Sequence, residues 1–140
     1  MARMVETETK LLEVASTTMK NAHVLWGFKV GAAVLGGDGK VYGGCNVENW
    51  VSGLGTCAER CAIDHSVLHG NRRIMEIAIV VEEDRLEKPI PCGACLQYIH
   101  DFAENSQLKV LMAQTERGKI RSETVEVKTL GELFPFPYRK

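Results

Sequence analysis

No apolar stretch in this sequence approaches the roughly 20 residues that a membrane-spanning helix needs. The segment from Met1 to Lys20 also lacks the short apolar core of a secretory signal; it carries Arg3, Glu6, Glu8, Lys10 and Glu13 instead. A cytoplasmic protein is the resulting expectation. Neither charge is in surplus: 17 Lys and Arg against 18 Asp and Glu leave a formal net charge of −1. That excludes a polybasic membrane anchor and a strongly basic nucleic-acid platform. Proline is scarce, at four residues, and no Ser/Gly-rich linker, repeat or low-complexity tract interrupts the chain. With 140 residues, this reads as a single domain over 1–140, since domains run roughly 100–200 residues. A core can form without staples, because a chain of about 150 residues buries roughly 70% of its unfolded surface. Nor can the cysteines all pair within the chain, because there are five. Where thiols stay reduced, cysteines at chosen spacings point to a metal or to catalysis.

Hydrophobic spacing supplies the elements. Glu6 to Ala22 has Leu11, Leu12, Ala15, Met19 and Ala22 three and four apart, the mark of an amphipathic helix. Lys29 to Gly36 reads as a strand, Gly37-Asp38-Gly39 as a tight turn, and Lys40 to Asn46 as the returning strand. Ser52 to Gly55 is loop, and Thr56 to His69 is a second helix closed by Gly70. Ile74 to Val81 is nearly all apolar, as a strand buried on both faces should be. After a charged loop from Glu82 to Pro91, Gly93 to Glu104 forms a third helix. Leu108 to Ala113 and Ser122 to Lys128 are strands around a turn from Gln114 to Arg121. Strands alternating with helices argue an α/β fold with helices flanking a sheet.

Three of the five cysteines fall at the starts of two of these helices: Cys57 in one, Cys92 and Cys95 in the other. A helix start presents unpaired N–H groups and partial positive charge, which favour thiolate, the form that binds zinc. Three protein ligands leave one tetrahedral position open, the arrangement of a catalytic zinc. Glu59, two residues after Cys57, points away from it on a helix. It is therefore better placed to handle protons than to join the ligands. Arg60 places a fixed cation beside the cluster and can offset its negative charge.

Cys57-Ala58-Glu59 followed by Pro91-Cys92-Gly93-Ala94-Cys95 is the zinc-deaminase signature in its three-cysteine form. Over nearly its whole length the chain resembles the small homotetrameric cytidine deaminases. The resemblance rests on those two motifs, on Phe28-Lys29-Val30-Gly31-Ala32-Ala33, on Gly44-Cys45-Asn46-Val47-Glu48-Asn49 and on an aromatic tail. It implies a three-layer α/β/α sandwich with a mixed five-stranded sheet. It also implies one zinc per subunit on Cys57, Cys92 and Cys95, with Glu59 shuttling protons to the ring N3 and the leaving amine. Asn46 and Glu48 would bond the ribose hydroxyls, Phe28 would pack on the pyrimidine, and Ala58 would line the site. Tyr138 would reach a neighbouring subunit's site in a homotetramer. The implied reaction is hydrolytic deamination of cytidine, 2′-deoxycytidine or a modified cytidine in pyrimidine salvage. The substrate would be a small nucleoside and not a nucleic-acid polymer. Three departures stand out. Val24-Leu25-Trp26 replaces the family's Pro-Tyr-Ser, Trp50 to Gly53 holds no Tyr, and Leu96-Gln97 replaces Arg-Gln.

Other readings compete at single residues. Thr56-x-x-Glu59 is also a capping box. Cys92-x-x-Cys95 alone suits a thioredoxin-like redox pair, but that leaves Cys57-Ala-Glu unexplained. A structural zinc module needs a fourth ligand; a blasticidin-type deaminase is a nearby alternative, but Asn46 and Glu48 favour a true nucleoside as substrate. Cys45 and Cys61 read as packing residues, and His65 and His69 as ordinary helix positions.

Overall fold

A computed structural model describes residues 4–139. The elements run α1 (Glu6–Met19), β1 (Val30–Gly36), β2 (Val41–Cys45), α2 (Ala58–Leu68), β3 (Ile74–Val81), α3 (Gly93–Phe102), β4 (Lys109–Glu116), β5 (Lys119–Ile120), β6 (Glu126–Thr129) and α4 (Leu130–Leu133). The sheet order is β2-β1-β3-β4, with β5 and β6 sharing the far edge of β4. The sheet is mixed and has five strand positions, as the family resemblance implies; the shared edge brings the strand count to six. Among the paired strands of the described residues, only the β3–β4 pairing is parallel.

Alternation along β1 divides the core in two. Ala33 faces α1, where Leu11, Leu12, Ala15 and Met19 pack on Ala78, Val80 and Leu111. Ala32 and Val34 face the other way, against Ala62, Ile63, Leu96 and Ile99 of α2 and α3. The result is three layers, helix on sheet on helix. This is the solution that lets a sheet apolar on both faces exclude water from each.

Several boundaries differ from the sequence reading. α1 stops at Met19, three residues early, and the chain turns there through backbone bonds from Asn21 and Ala22. α2 begins at Ala58 with Cys57 as its N-cap. Thr56 is instead tied into an antiparallel bridge with Val47, their N–H and C=O groups exchanged at 2.9 Å. The capping-box reading of Thr56 and Glu59 therefore fails, because the cap falls one residue later. Ser122–Thr124 is a short 3₁₀ turn rather than strand, and β4 continues to Glu116 to pair with β5.

The topology sets where the chemistry lies. β2 and β3 are both antiparallel to β1 and so point the same way. The chain leaves both at one end of the sheet, and α2 and α3 both start there. In open α/β sheets, ligands bind outside the carboxyl ends of the strands.

Candidate active site

Cys57 and Cys92 are both N-cap residues in extended conformation, at φ −79°, ψ 155° and φ −68°, ψ 169°. Cys95 lies in the first turn of α3 and is fully buried, whereas Cys92 is exposed. All five cysteines are free. The Cys57 thiol falls to about 5, chiefly because it accepts a hydrogen bond from Cys95 and secondly because of Arg60; burial opposes both. Arg60 Nη2 donates to Cys57 Sγ at 3.4 Å. The Cys95 thiol is pushed up, first by that same bond to Cys57 and then by burial. The two shifts are opposed: the pairing favours the thiolate on Cys57 and the thiol on Cys95. This is how a thiolate survives away from water: a cation and a donor replace its solvation.

Glu59 is 6% exposed. Burial pushes its carboxyl above the usual carboxylate range, and the neighbouring Cys57 adds to the rise. It lies within electrostatic reach of Cys57, Cys95 and Arg60. A carboxyl raised in this way takes up a proton more readily than an exposed one, which suits a general acid–base.

Cys57, Glu59, Arg60 and Cys92 open into one cavity of about 520 Å³. That is an ordinary size for a small-molecule site. Phe28, Asn46, Glu48 and Ala58 line the same cavity. Arg85 lies over the Phe28 ring, 5.3 Å from its centroid. Asn46 and Glu48 both turn towards backbone. Asn46 Oδ1 accepts from Val30 N at 2.8 Å, and its Nδ2 donates to Phe28 O at 2.8 Å. Glu48 accepts from the N–H groups of Leu25, Trp26 and Gly27, which holds its carboxyl below the usual range. Tyr138 is not among the residues lining the cavity. Its backbone is paired with the Gln97 side chain, at 2.9 and 3.1 Å, and its ring is 75% exposed.

Trp26, Leu86, Pro89 and Ile90 also line the cavity. Sequence reasoning placed Trp26 only as a departure and took the Glu82–Pro91 segment as a charged loop. The available signal was Leu86 and the Pro89-Ile90-Pro91 run inside it, apolar residues with no helical or strand period of their own. Of the two spare cysteines, Cys61 interacts with Cys45. His65 and His69 turn their Nδ1 atoms to carbonyl oxygens of Gly43 and His65, each at 2.9 Å.

Among the described residues, no three His, Cys, Asp or Glu side chains are already closed around one point. The convergence is pairwise: Cys57 with Cys95, Cys92 with Cys95 through their charges, and Cys57 with Cys92 across one cavity wall. The chemistry of the donor set fits zinc. It consists of soft sulfur ligands at helix starts, one of them a thiolate, with a guanidinium to offset their charge.

A family model described as the cytidine and deoxycytidylate deaminase zinc-binding region matches residues 5–112. The cytidine deaminase of Sporosarcina psychrophila is 37% identical over 133 residues, covering 94% of this chain and 90% of that protein. That of Mycobacterium tuberculosis is 45% identical over 110 residues, covering 77% and 71%. The structure of the cytidine deaminase from Burkholderia pseudomallei superposes with a TM-score of 0.80 at 35% identity, covering 96% of this chain and all of that one. Motif, fold and relatives agree, and the chain belongs to the cytidine deaminase family with its zinc-binding region.

Proposed function

We propose that this chain hydrolyses the exocyclic amine of cytidine or 2′-deoxycytidine, giving the uridine product and ammonia. The observation that carries the reading is Glu59, a buried carboxyl raised above its ordinary range, which shares a cavity of about 520 Å³ with the Cys57 and Cys92 thiols. Cys57, Cys92 and Cys95 would hold zinc, one ion per subunit. The chemistry zinc supplies when bound is Lewis acidity, which makes a water nucleophilic near neutral pH. Glu59 takes the proton released as the C4–O bond forms and delivers it to N3. It then takes the proton of the new C4 hydroxyl and passes it to the amine, as the C4–N bond breaks and the C4 carbonyl forms. Water enters, ammonia leaves, and Glu59 ends as it began. Arg60 keeps the sulfur cluster from accumulating negative charge, through its contact with Cys57.

Phe28, Asn46, Glu48 and Ala58 form the wall against which the nucleoside lies. Tyr138, exposed and outside its own chain's cavity, serves a neighbouring subunit's site, and the working assembly is a homotetramer. Pyrimidine salvage in the cytoplasm, by one domain spanning the chain, is the setting this chemistry suits.

The test is a turnover screen by ultraviolet absorbance over cytidine, 2′-deoxycytidine, 5-substituted cytidines, cytosine and adenosine with zinc-loaded protein. Turnover confined to cytosine nucleosides is expected. Turnover of none of them defeats the reading.

A further inference from the structure

The segment between β3 and α3, Glu82 to Pro91, brings Leu86, Pro89 and Ile90 to the cavity and leads into Cys92. None of it is helix or strand, so no regular backbone pairing holds it in place. Its start is tied beside Phe28: Glu82 N donates to Lys29 O at 3.1 Å, and the Glu82 carboxylate accepts from Lys29 N. Its middle hangs from one side chain. Gln114 Nε2 donates to Leu86 O at 2.9 Å and to Glu87 O at 3.3 Å. The remaining tie, Lys88 Nζ to Glu126 Oε2 at 3.0 Å, is open to water, and such pairs contribute little.

Gln114 lies in β4 beside Val81 of β3, and alternation from Met112 turns it to the side of the sheet that carries α2 and α3. It is buried, yet it does not line the cavity. Its Oε1 accepts from Arg121 Nη1 at 3.0 Å. A guanidinium can only donate, and the two carbonyls can only accept, so a single orientation of the amide satisfies all three. Arg121 thereby keeps the Gln114 NH2 group turned to the segment.

We propose that Gln114, oriented by Arg121, is a positioning residue for substrate binding: it draws the segment inward and so completes the wall made by Leu86, Pro89 and Ile90. Without that amide the wall stands open part of the time. A site competent in only a fraction of molecules binds with its affinity lowered by that fraction. Bound substrate selects the closed wall, so the chemical step keeps its rate. This rests on the deaminase reading above, and it adds two residues that touch neither the cavity nor the thiols.

The experiment measures kcat and KM for cytidine and 2′-deoxycytidine in the zinc-loaded wild type, Gln114→Leu, Gln114→Glu, Arg121→Ala and Arg121→Lys. The rate of tryptic cleavage at the Arg85–Leu86 bond, read by mass spectrometry, and the thermal midpoint accompany it. Gln114→Glu still accepts from Arg121 but has lost its donor, and it keeps the test open where Gln114→Leu does not fold. Both Gln114 variants should raise KM about tenfold, the worth of one or two hydrogen bonds, with kcat kept. Cleavage at Arg85–Leu86 should quicken by about the same factor, because it follows the open fraction. Arg121→Ala should shift both in the same direction, and Arg121→Lys should restore most of the loss. A purely structural amide would lower the thermal midpoint and leave KM alone. KM within about twofold of wild type in Gln114→Glu therefore overturns the proposal, as does a fall in kcat with KM kept. Unchanged cleavage at Arg85–Leu86 overturns it too. Each of these, with the wild type turning over cytosine nucleosides, leaves the deaminase reading standing. A zinc-loaded wild type that turns over neither nucleoside defeats both.

Discussion

Glu59 shows how much one buried carboxyl depends on its position along a helix. It stands in the first turn of α2, after the cap. Burial then keeps it protonatable. Glu59→Gln keeps the size and the hydrogen-bonding outline but cannot move a proton. Turnover should fall at least about 10²–10⁴-fold, the usual worth of a positioned acid–base. Zinc content, measured by metal analysis, should stay at the wild-type level, because no ligand is lost; near-wild-type turnover would remove Glu59 from the mechanism. Glu48 makes a different prediction. Its carboxyl is held low by the Trp26, Leu25 and Gly27 N–H groups. A folded value below the unfolded one adds stability above the unfolded value, and that stability drains away as pH falls through the folded value. The thermal midpoint of Glu48→Gln should therefore lie below wild type at neutral pH. The gap should close in acid, below the ordinary glutamate range. A gap that persists unchanged there would show that the carboxylate is not what holds the loop.

At the scale of elements, the contact between α2 and β2 matters most, because α2 carries Cys57, Glu59 and Arg60. Gly44 permits that contact. A Cβ there would overlap the Ala62 backbone nitrogen and come within 2.8 Å of Ala58 O. Both are backbone atoms, which cannot rotate aside. Gly44→Ala should therefore cost about 3 kcal/mol, the upper range for overpacking. The urea midpoint should drop by on the order of 1 M. Turnover per folded molecule should fall as well, because the helix bearing the proposed acid–base, Glu59, is displaced. Wild-type stability in this variant would mean that α2 sits farther from the sheet than described. The control is Gly53→Ala, in the short 3₁₀ turn before α2, where a Cβ meets nothing within 4 Å.

For the whole molecule, the distribution of exposed apolar surface is informative. Trp26, Trp50, Val51 and Leu54 are exposed near the cavity mouth, and Phe136 and Tyr138 are exposed on the tail. Surfaces of this kind mark interaction sites more often than free surface. Sedimentation should give about four times the 15.5 kDa chain mass. A species at the chain mass with full turnover would exclude a site completed by a neighbour's Tyr138. No helix among the described residues is long and apolar enough to cross a membrane.

The deaminase family and its zinc-binding region were legible from local order alone. Cys-x-Glu and Cys-x-x-Cys are short motifs, and each carries its meaning in the spacing along one helix start. The alternating strands and helices were legible too, because burial on one face imposes a period that the chain must obey. α4 and β5 were not legible, being four and two residues long, too short to show a period. Nor was the loss of the capping box, since a helix starts where backbone pairing releases it, and Thr56 is held by Val47 from another part of the chain. The largest gap concerned Asn46 and Glu48. A sequence states that an amide and a carboxylate are present; it cannot state which donors they already satisfy. Their partners are backbone atoms 16 to 23 positions away, and only the folded chain brings those within reach. The sequence by itself determined what chemistry the site can do. The tertiary structure decided which backbone groups its polar side chains hold, because hydrogen-bond capacity is divided among neighbours in space.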